Sequence, residues 1–291
     1  MPDANRPLNR ICAIHDLSCF GRCALTVISP VLSAMGNQVV PVPTALLSTH
    51  TGGFENMYFL DLTDSMDKIA RHFSSLGLSF DAIYSGFLGS EAQIDAVAEY
   101  IDRFGKRAHI VLVDPVMGDD GKLYSTYTEG MMRDMRRLCH KADIITPNIT
   151  EAFFLAGREF VDTTEMTHDE ALAIVRELAE SYCDFGNKKV VITGIPYGKS
   201  SFATYGYDRE SDDEFFYTVK RIRLSYPGTG DLFASVLLGK LLAGVDFYPA
   251  LVYASDFVGR VMEFSSKFDT PLRDGVAFEA FLSELTPKNI V

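Results

Sequence analysis

Asp143-Ile144-Ile145-Thr146-Pro147-Asn148-Ile149-Thr150-Glu151 packs a short apolar strand, a polar turn and the opening of a helix into one segment. The strand, 143–146, is one of six Val- and Ile-rich runs, the others being 10–15, 38–42, 81–85, 109–113 and 188–193. Helical patterns alternate with them. Ala24, Val27, Ile28, Val31, Leu32 and Met35 follow helical spacing, and Gly36 stands where a C′ residue belongs. Thr167-x-x-Glu170 is a capping box that predicts a helix running to about Cys183. Such alternation predicts a parallel sheet covered by helices on both faces. Beyond Thr193 the pattern changes: 200–207 and 214–219 alternate apolar and polar side chains around a charged turn, 208–213. They predict an antiparallel hairpin at one sheet edge. Helices dominate from Asp231 onward. No linker, repeat or low-complexity stretch interrupts the chain, so one domain over 1–291 is expected, an α/β three-layer sandwich.

Composition narrows the function classes. The chain has 291 residues, 47% hydrophobic and 23% charged, ordinary for a globular protein. Its net charge of −12 disfavours nucleic acid or an anionic membrane as partner. It leaves room for a polyphosphate whose charge is met by a divalent metal and backbone amides. The N-terminal residues carry no apolar run of a secretory signal. The longest apolar stretch, 232–243, is shorter than the about 20 residues a bilayer requires. Five cysteines, with no C-x-x-C pair, suggest reduced thiols, and a cytoplasmic protein is expected.

In open α/β sheets ligands bind beyond the carboxyl ends of the strands. Polar clusters follow His15, Val42, Ser85, Val113, Thr146 and Thr193, so six strands share one candidate rim. The strongest motif is Pro227-Gly228-Thr229-Gly230-Asp231, leading straight into the apolar helix 232–243. Two glycines permit close backbone approach, and a helix start offers unpaired N–H groups to an anion. Asp231, in the first turn, would share that space as a proton acceptor, although acidic first turns are also common for the helix dipole alone. Asn148 and Glu151 could hold magnesium through its waters or simply cap their helix. Val113-Asp114-Pro115-Val116-Met117-Gly118-Asp119-Asp120-Gly121 sets three carboxylates in a turn-rich loop, with Asp114 against the strand and expected to be buried. Gly194-Ile195-Pro196-Tyr197-Gly198-Lys199-Ser200 imitates a phosphate-binding P-loop but is one residue short between its glycines and leads into a strand. It reads as a hairpin-like turn. No G-x-G-x-x-G follows the first strand, no zinc-ligand spacing occurs, and no G-x-S-x-G elbow is present.

In order along the chain, Ile14-His15-Asp16-Leu17-Ser18, Ser48-Thr49-His50-Thr51-Gly52, Ser85-Gly86-Phe87-Leu88-Gly89, the Asp114–Asp119 run, the 143–151 segment, Val191-Ile192-Thr193 and Gly228-Thr229-Gly230-Asp231 resemble the ribokinase superfamily. Within it they resemble the pyridoxal/pyridoxamine (vitamin B6) kinases, over about residues 11–244. The resemblance implies a ribokinase-like fold, ATP as co-substrate, Mg²⁺ and a homodimer, and leaves a monovalent cation open. It implies that Asp231 is the catalytic base and that Gly228, Thr229 and Gly230 form the anion hole. Asp114, Thr146, Asn148, Glu151 and Thr193 would meet ATP, its phosphates and magnesium, the metal falling to Asp114 and Glu151. Asp16, Ser18, Thr51 and Gly52 would meet the acceptor with Asp231, and Tyr124 would belong to a flap. One departure stands out: Asp16 occupies a position where typical members carry serine, which leans toward a cationic, amine-bearing acceptor. The expected reaction is phosphorylation of a B6 vitamer's 5′-hydroxymethyl group. A hydroxymethylpyrimidine or sugar kinase on the same scaffold, or a nucleotide-binding sensor without chemistry, are the alternatives.

Overall fold

The computed structural model describes residues 6–182, 186–220, 222 and 224–287. Its strands are β1 (Arg10–Phe20), β2 (Gln38–Thr49), β3 (Phe59–Asp61), β4 (Ala82–Ser85), β5 (Ile110–Val113), β6 (Gly118–Asp119), β7 (Lys122–Leu123), β8 (Ile144–Ile145), β9 (Lys189–Tyr197), β10 (Ser201–Asp208) and β11 (Asp213–Lys220). The helices are α1 (Leu25–Ala34), α2 (Thr63–Ser75), α3 (Glu91–Phe104), α4 (Glu129–Cys139), α5 (Ile149–Leu155), α6 (His168–Glu180), α7 (Thr229–Leu242), α8 (Phe247–Ser265) and α9 (Leu282–Leu285).

Nine strands form one sheet in the order β11-β10-β9-β8-β5-β4-β1-β2-β3. The central strands from β2 to β9 pair in parallel. The β10–β11 hairpin closes one edge antiparallel, with Asp208 opposite Asp213. Alternation along each strand divides the core. Ile11 and Ala13 of β1 pack with Leu25, Ile28 and Leu32 of α1 and Ala234 and Leu238 of α7. Cys12 and Ile14 face the other way, toward Ile94 and Val97 of α3 and Met131 and Met135 of α4. Helix α7 is buried continuously from Leu232 to Gly239, which explains its lack of a polar face.

The mostly parallel sheet with its edge hairpin matches the sequence reading, with four differences. First, β1 runs to Phe20 rather than His15, and β2 to Thr49 rather than Val42. Parallel pairing continues past a register shift between His15 and Leu17, so Asp16, Ser18, Ser48 and Thr49 lie in strands and not in loops. Pro41 and Pro43 are tolerated in β2 because β3 pairs only with Ala45–Leu47, leaving the prolines at an open edge. Second, β3 is an antiparallel edge strand with no alternating pattern to announce it. Third, the turn-rich loop after Asp114 contains the small β6–β7 hairpin, held by two residue pairs. Fourth, α6 opens with the expected capping box but ends at Glu180; Cys183 lies outside the described residues. Cys12, Cys19, Cys23 and Cys139 are free thiols. Among the described residues no helix is long and apolar enough to cross a membrane.

Candidate active site

The carboxyl ends of the parallel strands and the start of α7 enclose a cavity of about 1330 Å³. Asp231 sits in the first turn of α7 because Gly228, at φ +79°, turns the chain into that helix without a side chain in the way. Gly228, Thr229 and Gly230 all line the cavity, and Thr229 Oγ1 donates to the Tyr226 carbonyl at 3.1 Å. Asp231 Oδ2 accepts from the Ala24 amide at 2.8 Å. Ala24 holds φ +48° and ψ −134°, a region glycine normally occupies, and it begins α1 with no side-chain cap. The start of α1 thus uses a carboxylate from another helix to satisfy an otherwise orphaned N–H.

Asp114 follows β5, where its own amide donates to the Ser85 carbonyl at 2.8 Å. Its Oδ1 accepts from Thr146 Oγ1 at 3.1 Å, just past β8. Thr193 completes this rim, its N–H donating to the Pro147 carbonyl at 2.9 Å beside Asn148. Burial drives all these carboxyls upward. Asp231 is pushed up to about 7 by burial and the charge of Asp16, against the pull of the Ala24 amide. Asp114 is pushed up to about 8 by burial and the charge of Asp231. Glu151 is held well above the usual range by burial and by Asp114. A crowd of mutually repelling acids facing one cavity is the environment a bound cation would relax.

The Asn148–Glu151 pair makes a full capping box. Asn148 Oδ1 accepts from the Glu151 amide at 2.9 Å, and Glu151 Oε2 accepts from the Asn148 amide at 2.8 Å. Glu151 Oε1 accepts the Met117 amide at 3.0 Å, and Asn148 Nδ2 donates to the Gly118 carbonyl at 2.8 Å. Thr150 Oγ1 accepts the Gly121 amide at 3.0 Å. The start of α5 therefore ties down the β6–β7 hairpin, and Tyr124, at the end of that hairpin, borders the cavity. Both Glu151 oxygens are occupied by amides, whereas Asp114 Oδ2 has no partner among the described residues. Of the two carboxylates assigned to magnesium, Asp114 therefore has the open oxygen, and Glu151 positions the hairpin. Among the described residues no three His, Cys, Asp or Glu side chains converge as a ready metal cage. That fits magnesium, which takes one or two carboxylates and keeps waters and phosphates as its other ligands. Glu151→Ala is expected to leave two amides without acceptors and to lower stability by about 2 kcal/mol or more, read as a fall in thermal midpoint.

Asp16, Ser18, Thr51 and Gly52 line the same cavity. Asp16 is 5% exposed, and its Oδ2 accepts from Ser18 Oγ at 2.8 Å. Next to them is His50, which the sequence placed in a motif without a role. Its Nδ1 accepts the Gly52 amide at 3.1 Å, and its Nε2 lies 2.6 Å from the Arg273 carbonyl. It pins the Thr51–Gly52 turn against the chain beyond α8. The Ala24 amide, and the apolar wall of Ile222, Leu224, Val258 and Met262, were also absent from the sequence reading. A main-chain amide has no residue-type signature. The apolar wall looks like ordinary core until the fold exposes it to a cavity. The residues given a role by the family resemblance all line this one cavity.

A nucleotide-sized cavity, a glycine-flanked helix start and a buried carboxylate beside it define a small-molecule kinase of the ribokinase superfamily. The chain belongs to the phosphomethylpyrimidine kinase family, whose model matches residues 29–272. It is 30% identical over 257 residues to the pyridoxine/pyridoxal/pyridoxamine kinase of Bordetella avium, covering 82% of this chain and 79% of that one. It is 30% identical over 216 residues to a pyridoxal kinase of Arabidopsis thaliana, covering 72% of this chain but 66% of that protein, just under two thirds of its length. A candidate phosphomethylpyrimidine kinase from Bacteroides thetaiotaomicron superposes with a TM-score of 0.90 at 38% identity, covering 99% of this chain and 97% of that one. Its crystal form with pyridoxal superposes at 0.88, covering 96% of each chain.

Proposed function

We propose that the chain, acting as one kinase domain over residues 1–291, transfers the γ-phosphoryl group of ATP to the 5′-hydroxymethyl group of a vitamin B6 vitamer. The observation that carries this reading is that Asp231 and the Gly228–Gly230 turn line one cavity whose acids act on one another from Asp16 through Asp231 to Asp114. The same cavity offers the apolar Ile222, Leu224, Val258 and Met262, suited to adenine, and the polar Asp16, Ser18, Thr51 and Gly52, suited to a small heterocycle. The vitamer specificity of the Bordetella and Arabidopsis relatives supports it, as does the pyridoxal form of the Bacteroides protein.

In this mechanism the amides at the start of α7 bind the migrating phosphoryl group, whose charge the helix end favours. Asp231 accepts the proton of the attacking hydroxyl as the new P–O bond forms and the bond to the ADP oxygen breaks. The Ala24 amide keeps the carboxylate aimed. Asp114 and Thr146 hold the phosphate side, with magnesium on Asp114 neutralising phosphate charge when bound. Tyr124 and the hairpin tied to α5 cover the nucleotide and limit water. The resemblance to the B6 kinases supports a homodimer, and the composition supports a cytoplasmic setting. Light scattering on purified protein tests the first and fractionation the second.

The family match favours one competing acceptor, a hydroxymethylpyrimidine. Purified protein with Mg-ATP is expected to convert at least one of pyridoxal, pyridoxamine and pyridoxine to its 5′-phosphate, detected by mass spectrometry, faster than hydroxymethylpyrimidine or any sugar. Product from hydroxymethylpyrimidine alone would overturn the assignment. ATP binding without any product would instead indicate a sensor.

A further inference from the structure

A short 3-10 turn, Leu272–Asp274, lies between α8 and α9, beyond the 11–244 span of the family resemblance, and Leu272 and Arg273 line the cavity. Its main chain meets two separate parts of the site. The Arg273 carbonyl lies 2.6 Å from His50 Nε2, and His50 Nδ1 accepts the Gly52 amide. The next carbonyl, that of Asp274, accepts the Arg22 amide at 3.2 Å and Arg22 Nη1 at 3.3 Å. Arg22 is the residue whose own carbonyl crowds Gly228, and it stands two positions before the Ala24 amide that meets Asp231. Backbone carbonyls of one turn thus fasten both the Asp231 side of the site and the Thr51–Gly53 loop. The Arg273 side chain is directed at the loop. Its Nη1 donates to the Gly53 carbonyl at 3.1 Å, and its guanidinium carbon sits 4.8 Å from the centre of the Phe54 ring. Phe54 in turn packs edge-on against His50 at 5.0 Å. Thr51, Gly52 and Gly53 are solvent-exposed, and an exposed, glycine-rich loop keeps one conformation only where something ties it down.

We propose that Arg273 is a positioning residue for the acceptor: its guanidinium clamps the Thr51–Gly53 loop in the conformation that receives the acceptor, and it leaves the chemistry at Asp231 alone. This inference rests on the B6 reading and deepens it. The size of the effect follows from population. A loop that is competent only about a tenth of the time raises the acceptor KM about 10-fold, while kcat, read at saturation, is spared. The hydrogen bonds to the Arg273 and Asp274 carbonyls belong to the main chain and survive loss of the side chain, so the Asp231 side of the site keeps its support.

The test is kcat, acceptor KM and ATP KM in wild type, Arg273→Ala and Arg273→Lys, on the vitamer that wild type phosphorylates fastest, with hydrogen exchange of the 50–54 segment measured without substrate. Arg273 is exposed, so Arg273→Ala is expected to fold with a thermal midpoint within about 2 °C of wild type. Its acceptor KM is expected to rise about 10-fold, with kcat within about twofold and the ATP KM unchanged. Exchange at 50–54 is expected to quicken. Arg273→Lys keeps a cation over Phe54 and a donor for Gly53, and is expected to recover most of the loss. An acceptor KM within about twofold of wild type in Arg273→Ala, or an ATP KM that rises in step with it, overturns the inference and leaves the kinase reading intact. Wild-type protein inactive on every vitamer overturns the functional reading instead, and unchanged exchange at 50–54 in Arg273→Ala then overturns the clamp by itself.

Discussion

Asp231→Asn is expected to lower kcat by about 100-fold or more while ATP and acceptor still bind, because it removes the carboxylate proposed to accept the hydroxyl proton. The asparagine Oδ1 can still take the Ala24 amide hydrogen bond, so the α1–α7 junction survives and the loss is chemical. Wild-type kcat/KM should rise with pH through about 7, where the Asp231 carboxyl ionises. The same shift has a stability consequence of opposite sign. Its ordinary value is 3.8 and its folded value about 7, so the folded state binds a proton that the unfolded state has already released between those values. Stability therefore falls as pH rises from about 4 to about 7, and the full penalty persists above. Asn carries no such penalty. The variant is expected to melt higher than wild type at pH 8, by about 2–4 °C for each kcal/mol relieved, and to lose that advantage near pH 4. A dead enzyme that is more stable than its parent is the signature of an acid kept for function. Near-normal turnover in Asp231→Asn would rule it out as the base.

Gly228→Ala should be the most damaging single-methyl change at the site. At φ +79° an L side chain costs about 1–2 kcal/mol. Its Cβ would also overlap the Arg22 carbonyl oxygen and come within 3.1 Å of Cys23 Cα. These are backbone atoms that cannot swing aside freely, because Gly275 also packs closely on Arg22, the position of its missing Cβ lying 2.9 Å from the same carbonyl oxygen and 3.2 Å from Arg22 Cα. Something must move, at a further cost of about 1–3 kcal/mol, and what moves is the turn whose amides are proposed to meet the phosphoryl group. A displacement of about 1 Å at such a centre costs about 100-fold in rate, so both thermal midpoint and kcat should fall. Gly230→Ala separates the two causes. A Cβ there would meet only Asp114 Oδ2, at 3.9 Å, so the fold should tolerate it or gain from it. Turnover should still drop, because the methyl group would stand in the space reserved for the phosphoryl group. Wild-type activity in Gly230→Ala would place the phosphate elsewhere.

The order of strands and helices was legible because its signals are local: β-branched runs, helical spacing, the two capping boxes, a glycine at the end of α1. The false P-loop at 194–200 was rejected on spacing; residues 194–197 end β9 and 198–200 make the β9–β10 turn. Strand ends were less legible. The backbone pairing that carries β1 and β2 past His15 and Val42 depends on two strands lying in register, which neither segment alone encodes. Asn148 and Glu151 show the same limit from the other direction. Their spacing fits a cap or a metal ligand equally well, and only the Met117 amide, brought in from the loop after β5, reveals that both Glu151 oxygens are taken.

By itself the sequence determined the alternating α/β architecture, the turn that opens α7 and the residue types on the rim, since each rests on interactions spanning a few residues. The tertiary structure alone decided which of those groups share a cavity and in what electrical state. Asp231 meets an amide 207 positions away, Asp16 is buried within the site, and the charge of Asp16 raises the proton affinity of Asp231 while that of Asp231 raises the affinity of Asp114. Burial and charge–charge distance are properties of the packed molecule, so no local pattern in the chain could have supplied them.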